Sequence, residues 1–219
     1  MKSKVALLAG ASGLIGQELL TLLLASPIYS KVVVLVRRPL DINHEKLEQK
    51  VVDFEKIDLD DLLIDHVFCT LGTTIKRAGS KAAFRQVDQQ YVINVAKIAK
   101  QRGAELFTIV TAMGANSDSL LFYNQVKGDV EAELRQMAYK YLGIFRPSML
   151  VGDRVEKRFA EQLGTFFMKA FNSLIPQNYK IIQVTKVATA MFHYATNPTK
   201  GVFVCSSAAM LKDKVTLKS

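Results

Sequence analysis

Gly10-Ala-Ser-Gly13-Leu-Ile-Gly16 stands between the apolar run Val5 to Ala9 and the helix-like run Leu19 to Ala25. A strand that turns through three glycines into a helix brings bare backbone N–H groups and the positive end of a helix dipole against a phosphate. Each glycine has its own reason. Gly10 makes the turn off the strand, Gly13 lets backbone approach a pyrophosphate without a Cβ in the way, and Gly16 lets the helix pack closely on the strand. The spacing is GxxGxxG, and its place between a strand and a helix raises it above a bare glycine pattern.

Working outward, apolar runs and helical periodicity alternate along the chain, the signature of βαβ units that wind a parallel sheet. The pattern predicts strands near 4–9, 31–36, 50–53, 65–70, 105–110, 141–145 and 202–204. Helices are predicted near 14–25, 80–101, 123–139, 156–174 and 185–195. In the helix from Ser80, Phe84, Val87, Tyr91, Val95 and Ile98 recur at three- and four-residue intervals, and Arg102-Gly103 supplies a basic last turn and a C-terminal glycine. No repeat, low-complexity stretch or linker interrupts the chain. The expected fold is a doubly wound parallel α/β sheet, one Rossmann domain over residues 1–219, with residues 148–219 adding a substrate-side lid.

Composition narrows the function. The 219 residues suffice for one substantial core, and two cysteines and three histidines are too few and scattered for a disulfide framework or a zinc site. Cys69, in a predicted strand, reads as a small core hydrophobe. The net charge of +9 permits an anionic partner. Its basic residues are dispersed with no nucleic-acid-reading motif, so nucleic acid is not expected. Lys2 and Lys4 precede an apolar stretch, but glycines and Gln17-Glu18 interrupt it, unlike a secretory leader. No apolar run reaches the ~18 residues of a membrane span. A soluble, cytoplasmic protein is expected.

The second strand ends in Arg37-Arg38-Pro39 with no carboxylate at its tip. Paired guanidinium groups suit a ribose 2′-phosphate, so NADP(H) is expected in preference to NAD(H). Asp53, at the end of the third strand, could accept from the adenine amino group, or could simply be an exposed strand-end acid. Tyr123 and Lys127, four apart on a predicted helix, rise from one face. A cation beside a phenol favours the phenolate and lets Tyr act as general acid or base. The pair gains weight from following the strand near 105–110; a solvated helix face is the alternative.

Together with Phe68-Cys-Thr-Leu-Gly72-Thr-Thr, Val87-Asp-Gln-Gln-Tyr91-Val, Tyr123-Asn-Gln-Val-Lys127-Gly-Asp-Val-Glu131 and Phe145-Arg-Pro147, these strings resemble the short-chain dehydrogenase/reductases, in particular their atypical branch. The likeness runs from Val5 to about Ala195. It implies that Ser12, Gly13, Leu14 and Ile15 line the pyrophosphate turn, and that Arg37 and Arg38 take the 2′-phosphate. Leu71 and Gly72 would pass under the cofactor, Tyr123 would exchange the proton, and Lys127 would hold the ribose. Leu150 would border the nicotinamide, and Arg158 would reach back to the cofactor.

The family usually places a serine after the fifth strand to hydrogen-bond the substrate carbonyl, and the related sequences carry Ser-Ser where this chain has Thr111-Ala112. If the first hydroxyl works, Thr111 preserves it; if the second, Ala112 has removed it, and Ser117 or Ser119 further along the loop could substitute. The segment 154–175 reads as an amphipathic helix with basic residues and an aromatic face: a lid over the cleft, a dimer contact or a membrane-surface element. The reading is an NADP(H)-dependent oxidoreductase, monomeric or homodimeric, acting on a small carbonyl or alcohol with an apolar portion. The rival is an NADP(H)-binding regulatory protein acting through partners. A sugar-nucleotide epimerase is disfavoured by the short stretch after Pro147.

Overall fold

Valine- and leucine-rich runs become strands hidden on both faces, the pattern that a sheet sandwiched between helices demands. The computed structural model describes residues 3–151 and 180–212. In chain order these form β1 (Lys4–Ala9), α1 (Leu14–Ala25), β2 (Tyr29–Val36), β3 (Leu47–Val51), β4 (His66–Cys69), α2 (Ile75–Ala78) and α3 (Lys81–Arg85). A π-helical turn, Gln86–Gln90, joins α3 to α4 (Tyr91–Gln101). It is followed by β5 (Leu106–Val110), α5 (Phe122–Gln136), β6 (Tyr141–Arg146) and β7 (Leu150–Val151). The last elements are β8 (Ile182–Gln183), α6 (Val184–Thr196), β9 (Gly201–Ser206) and α7 (Ser207–Leu211).

Seven strands form one sheet in the order β3-β2-β1-β4-β5-β6-β9, and every neighbouring pair is parallel. This is the expected doubly wound Rossmann sheet. Its strand order reverses between β1 and β4, which opens a crevice at their carboxyl ends. The two-residue strands β7 and β8 make a separate parallel pair.

Successive strand residues point to opposite faces, so two cores form. Ala6, Leu8, Val32, Val34 and Phe68 pack with Leu19 and Leu23 of α1 and Val187 and Met191 of α6. Leu7, Ala9, Val33, Leu35, Val67 and Cys69 pack on the other face with Val92 and Val95 of α4 and Val130 and Leu134 of α5. Cys69 is the expected core residue, and burial pushes its thiol up to about 12. No helix among the described residues is long and apolar enough to cross a membrane.

Two expectations shift. The predicted helix over 80–101 is not uniform, because the π turn advances its inward face by one residue: Phe84, Asp88, Val92 and Val95 are buried, while Val87 and Tyr91 are only half-buried. The predicted strand 50–53 begins earlier, at Leu47, where the register with Val32 of β2 starts, and ends before Asp53. The predicted helix 156–174 lies outside the described residues.

At the opposite end of the sheet, Lys4 Nζ lies 2.8 Å from His66 Nε2, and Tyr29 Oη lies 2.9 Å from His66 Nδ1. An ammonium only donates, so Nε2 accepts and Nδ1–H donates to Tyr29; the imidazole is neutral. Burial first, then the Lys4 charge, lowers its pKa to about 4.

Folding therefore disfavours a proton that the unfolded histidine binds below its ordinary value of 6.5. Stability should be intact above that pH and fall between it and about 4, by on the order of 3 kcal/mol. Urea unfolding across this window should show the slope, and His66→Gln should flatten it. Gly16→Ala would put a Cβ 2.1 Å from the Gly10 carbonyl oxygen. It should cost about 1–3 kcal/mol and lower Tm by roughly 2–12 °C in thermal unfolding.

Candidate functional site

The crevice is built first by glycine. Gly10 has φ +94, a conformation that L side chains rarely adopt, and a Cβ there would lie 2.6 Å from the Thr70 carbonyl carbon. Thr70, just past β4, donates its amide to the Ala9 carbonyl at 2.8 Å and sets its hydroxyl 3.2 Å from the Ala9 and Gly10 carbonyls. The ends of β1 and β4 are thereby tied together. Gly13 is the N-cap of α1 and offers no side chain, and the first turn carries no acid. Its amide donates to the Gly10 carbonyl at 2.9 Å. The first-turn amides of Leu14, Ile15 and Gly16 must find partners outside the helix. A pyrophosphate fits this cradle on both charge and space. Ser12 and Leu14 are exposed on its rim, and Ile15 is buried beneath it.

Arg37 and Arg38 lie exposed beyond β2. Acids share that neighbourhood. Tyr91 Oη donates to Glu55 Oε1 at 3.5 Å; burial raises its phenol, Glu55 and Asp53 add to the rise, and Arg37 opposes it. Asp53 Oδ1 accepts the Glu55 amide at 2.9 Å and so serves its own turn.

The far side of the crevice belongs to α5. Tyr123 is 39% exposed, with its ring 5.5 Å from that of buried Phe84. One turn on, Lys127 is buried, its Nζ 6.0 Å from the Tyr123 ring centroid. Leu71 is half-buried after β4. At Gly72 a Cβ would lie 3.5 Å from Asp88 Oδ1 and 3.8 Å from Lys127 Nζ, so the strand end passes directly over both groups.

Asp88 is the residue the sequence reading missed. It sits in the π turn, with Oδ1 2.7 Å from Lys127 Nζ and Oδ2 accepting the Thr73 amide at 2.8 Å. Oδ1 has no hydrogen-bond partner beyond that ionic contact among the described residues. Burial raises the Asp88 carboxyl above the usual carboxylate range, while Lys127 and the Thr73 amide pull it back. Plain helical spacing places Val87 inward and hides this acid. Only its position in Val87-Asp-Gln-Gln-Tyr91 hinted at a role.

Thr111 departs from its expected task. Its hydroxyl donates to Glu131 Oε1 at 2.7 Å, and the residue is buried. A threonine hydroxyl has one hydrogen, and here a carboxylate takes it, so it does not point to a substrate carbonyl. Ala112 follows, half-buried. Ser119 Oγ accepts the Leu121 amide at 3.1 Å. Leu150 is half-buried at the start of β7, against the core of α1 and α6. Arg158 lies outside the described residues.

Comparison with known proteins agrees with this geometry. The signature of a family described as NAD(P)H-binding matches residues 10–170. Protein HTATIP2 of Rattus norvegicus is 36% identical over 207 residues, covering 92% of this chain and 85% of that protein. MoeE5, solved with UDP-glucuronic acid and NAD, superposes with a TM-score of 0.68 at 18% identity, over 95% of this chain and 82% of that one. UDP-glucuronic acid 4-epimerase from Bacillus cereus, solved with NAD, gives a TM-score of 0.67 at 15% identity, over 92% and 77% of the two chains.

These findings correct the expected preference for NADP(H): the two similar proteins named above were solved with NAD. Past the β2 tip Arg37 is accompanied by acids, since Asp53 and Glu55 act on the same Tyr91 phenol with the opposite sign. Glycine cradle, strand reversal, family signature and sequence relatives converge, and the chain belongs to the NAD(P)H-binding Rossmann proteins of the short-chain dehydrogenase type.

Proposed function

We propose that this chain is a nicotinamide-dependent oxidoreductase acting on a small carbonyl or alcohol that carries an apolar portion. The observation that supports this best is the exposed Tyr123 phenol, one turn before an ammonium that Asp88 holds beneath Gly72. The bound dinucleotide supplies or accepts the hydride. Lys127 presents its remaining N–H groups to the ribose hydroxyls, and its short contact with Asp88 keeps the long side chain from wandering. In reduction, Tyr123 Oη gives its proton to the substrate oxygen; in oxidation it takes one back. Phe84 supports the phenol ring from below. Exposed Leu120 and Leu121, just ahead of Tyr123 in the chain, offer apolar surface to the substrate.

Thr111 favours a second reading. With its hydroxyl committed to Glu131 and alanine at position 112, neither of the two residues directly after β5 offers a hydroxyl hydrogen to a substrate oxygen. A lost donor of this kind costs on the order of a hundredfold in rate. The chain would then bind the dinucleotide and act chiefly through partners.

A panel of aldehydes, ketones and alcohols, followed by nicotinamide absorbance, separates the two readings. Turnover should appear, and Tyr123→Phe should lower kcat by roughly a hundredfold or more while leaving dinucleotide affinity within about twofold. Dinucleotide binding without turnover anywhere in the panel would favour the regulatory reading. Asp88→Ala should cost about 3–5 kcal/mol, because it strands a buried ammonium. The double variant with Lys127→Met should lose less than the sum of the two single changes in urea unfolding. Simple additivity would show that the two groups are not coupled.

A further inference from the structure

Glu131 is a buried carboxylate that the proton transfer above leaves unused, and four hydrogen bonds from three residues end on it. It follows Lys127 by one turn of α5 and is 1% exposed. Its Oε1 accepts from Thr111 Oγ1 at 2.7 Å and from Arg146 Nε at 2.9 Å. Its Oε2 accepts from Arg146 Nη2 at 2.6 Å and from Arg135 Nη1 at 3.2 Å. The Arg146 fork is bidentate, the most directional form of this contact. Glu131 in turn raises the Arg146 guanidinium above its ordinary value, chiefly through these hydrogen bonds.

The donors come from places that matter. Thr111 directly follows β5, and Arg146 ends β6. Beyond those ends the main chains stay paired, with the Thr111 amide donating to the Phe145 carbonyl at 2.8 Å and the Met113 amide to the Pro147 carbonyl at 3.0 Å. In the sheet order, β5 and β6 lie on the far side of β4 from the glycine cradle. One carboxylate thus references both strand ends to the helix that carries Tyr123 and Lys127. Packing alone does not call for an ion here, since apolar groups of the same volume would serve stability as well or better. What a bidentate buried pair adds is a fixed distance and angle.

We propose that Glu131 is the positioning residue of the nicotinamide half of the site. It holds the ends of β5 and β6 in register with α5, and Thr111 is its ligand rather than a substrate-orienting hydroxyl. The inference rests on the dinucleotide reading above, but not on turnover.

NADH and ADP-ribose, which lacks only the nicotinamide ring, separate the two halves of the site. Calorimetric titration of Glu131→Gln and Thr111→Val should show NADH affinity reduced about tenfold and about threefold, respectively. ADP-ribose affinity should stay within twofold, and Thr111→Ser, which keeps the donor, should restore wild-type NADH binding. Equal losses for both ligands would mean a merely structural role and would overturn the proposal, as would unchanged NADH affinity in both variants. Should Glu131→Gln fail to fold, the near-isosteric pair Thr111→Val and Thr111→Ser carries the same comparison. Absence of turnover in the wild-type protein would count against the oxidoreductase reading alone, because these affinities are read without a substrate.

Discussion

Close approach of Gly16 to the Gly10 carbonyl brings the N-terminus of α1 down onto the end of β1, and the rest of the site depends on that contact. A Cβ at position 16 would fall 2.1 Å from the carbonyl oxygen, so no larger residue keeps the helix there. With the helix in place, its first-turn amides face the crevice that the strand reversal opens. Thr70 closes the other side by bonding the β1 carbonyls from β4. Cradle and crevice are one construction, made mostly of backbone.

The proposed chemistry rests on α5, whose side chains are held by charge. Tyr123, Lys127, Glu131 and Arg135 recur every four residues, a single stripe along one helix. Lys127 is fixed from one side by Asp88, and Glu131 from the other by Arg146 and Thr111. Buried ions such as these add little to stability compared with apolar packing, but they set distances. From Tyr123 to Glu131 the stripe passes from an exposed phenol to an almost fully buried carboxylate, so an accessible group and a fixed one share a helix face. The π turn belongs to the same arrangement, because the residue it accommodates turns Asp88 inward.

Much of this was legible from residues alone. The order of strands and helices, the glycine turn and the Tyr123–Lys127 pair follow from periodicities and spacings that act within a few residues. Misreadings arose where distant segments meet. Arg37-Arg38 reads as a phosphate clamp because the sequence does not show that Asp53 and Glu55 act on the same Tyr91 phenol as Arg37. Thr111 looked like a catalytic hydroxyl because its partner stands on a helix twenty residues further along the chain. Asp88 was overlooked because an α-helical period assigns the inward position to its neighbour.

The amino-acid sequence by itself determined the alternation of strands and helices, the backbone cradle and the candidate proton donor. Hydrophobic period and glycine conformation are local properties, and they leave their mark on adjacent residues. Tertiary structure alone decided which charges are paired. An ion pair forms between side chains that the sheet order and helix register bring together, and whether a hydroxyl or an ammonium is free to act depends on the carboxylate that burial leaves it facing.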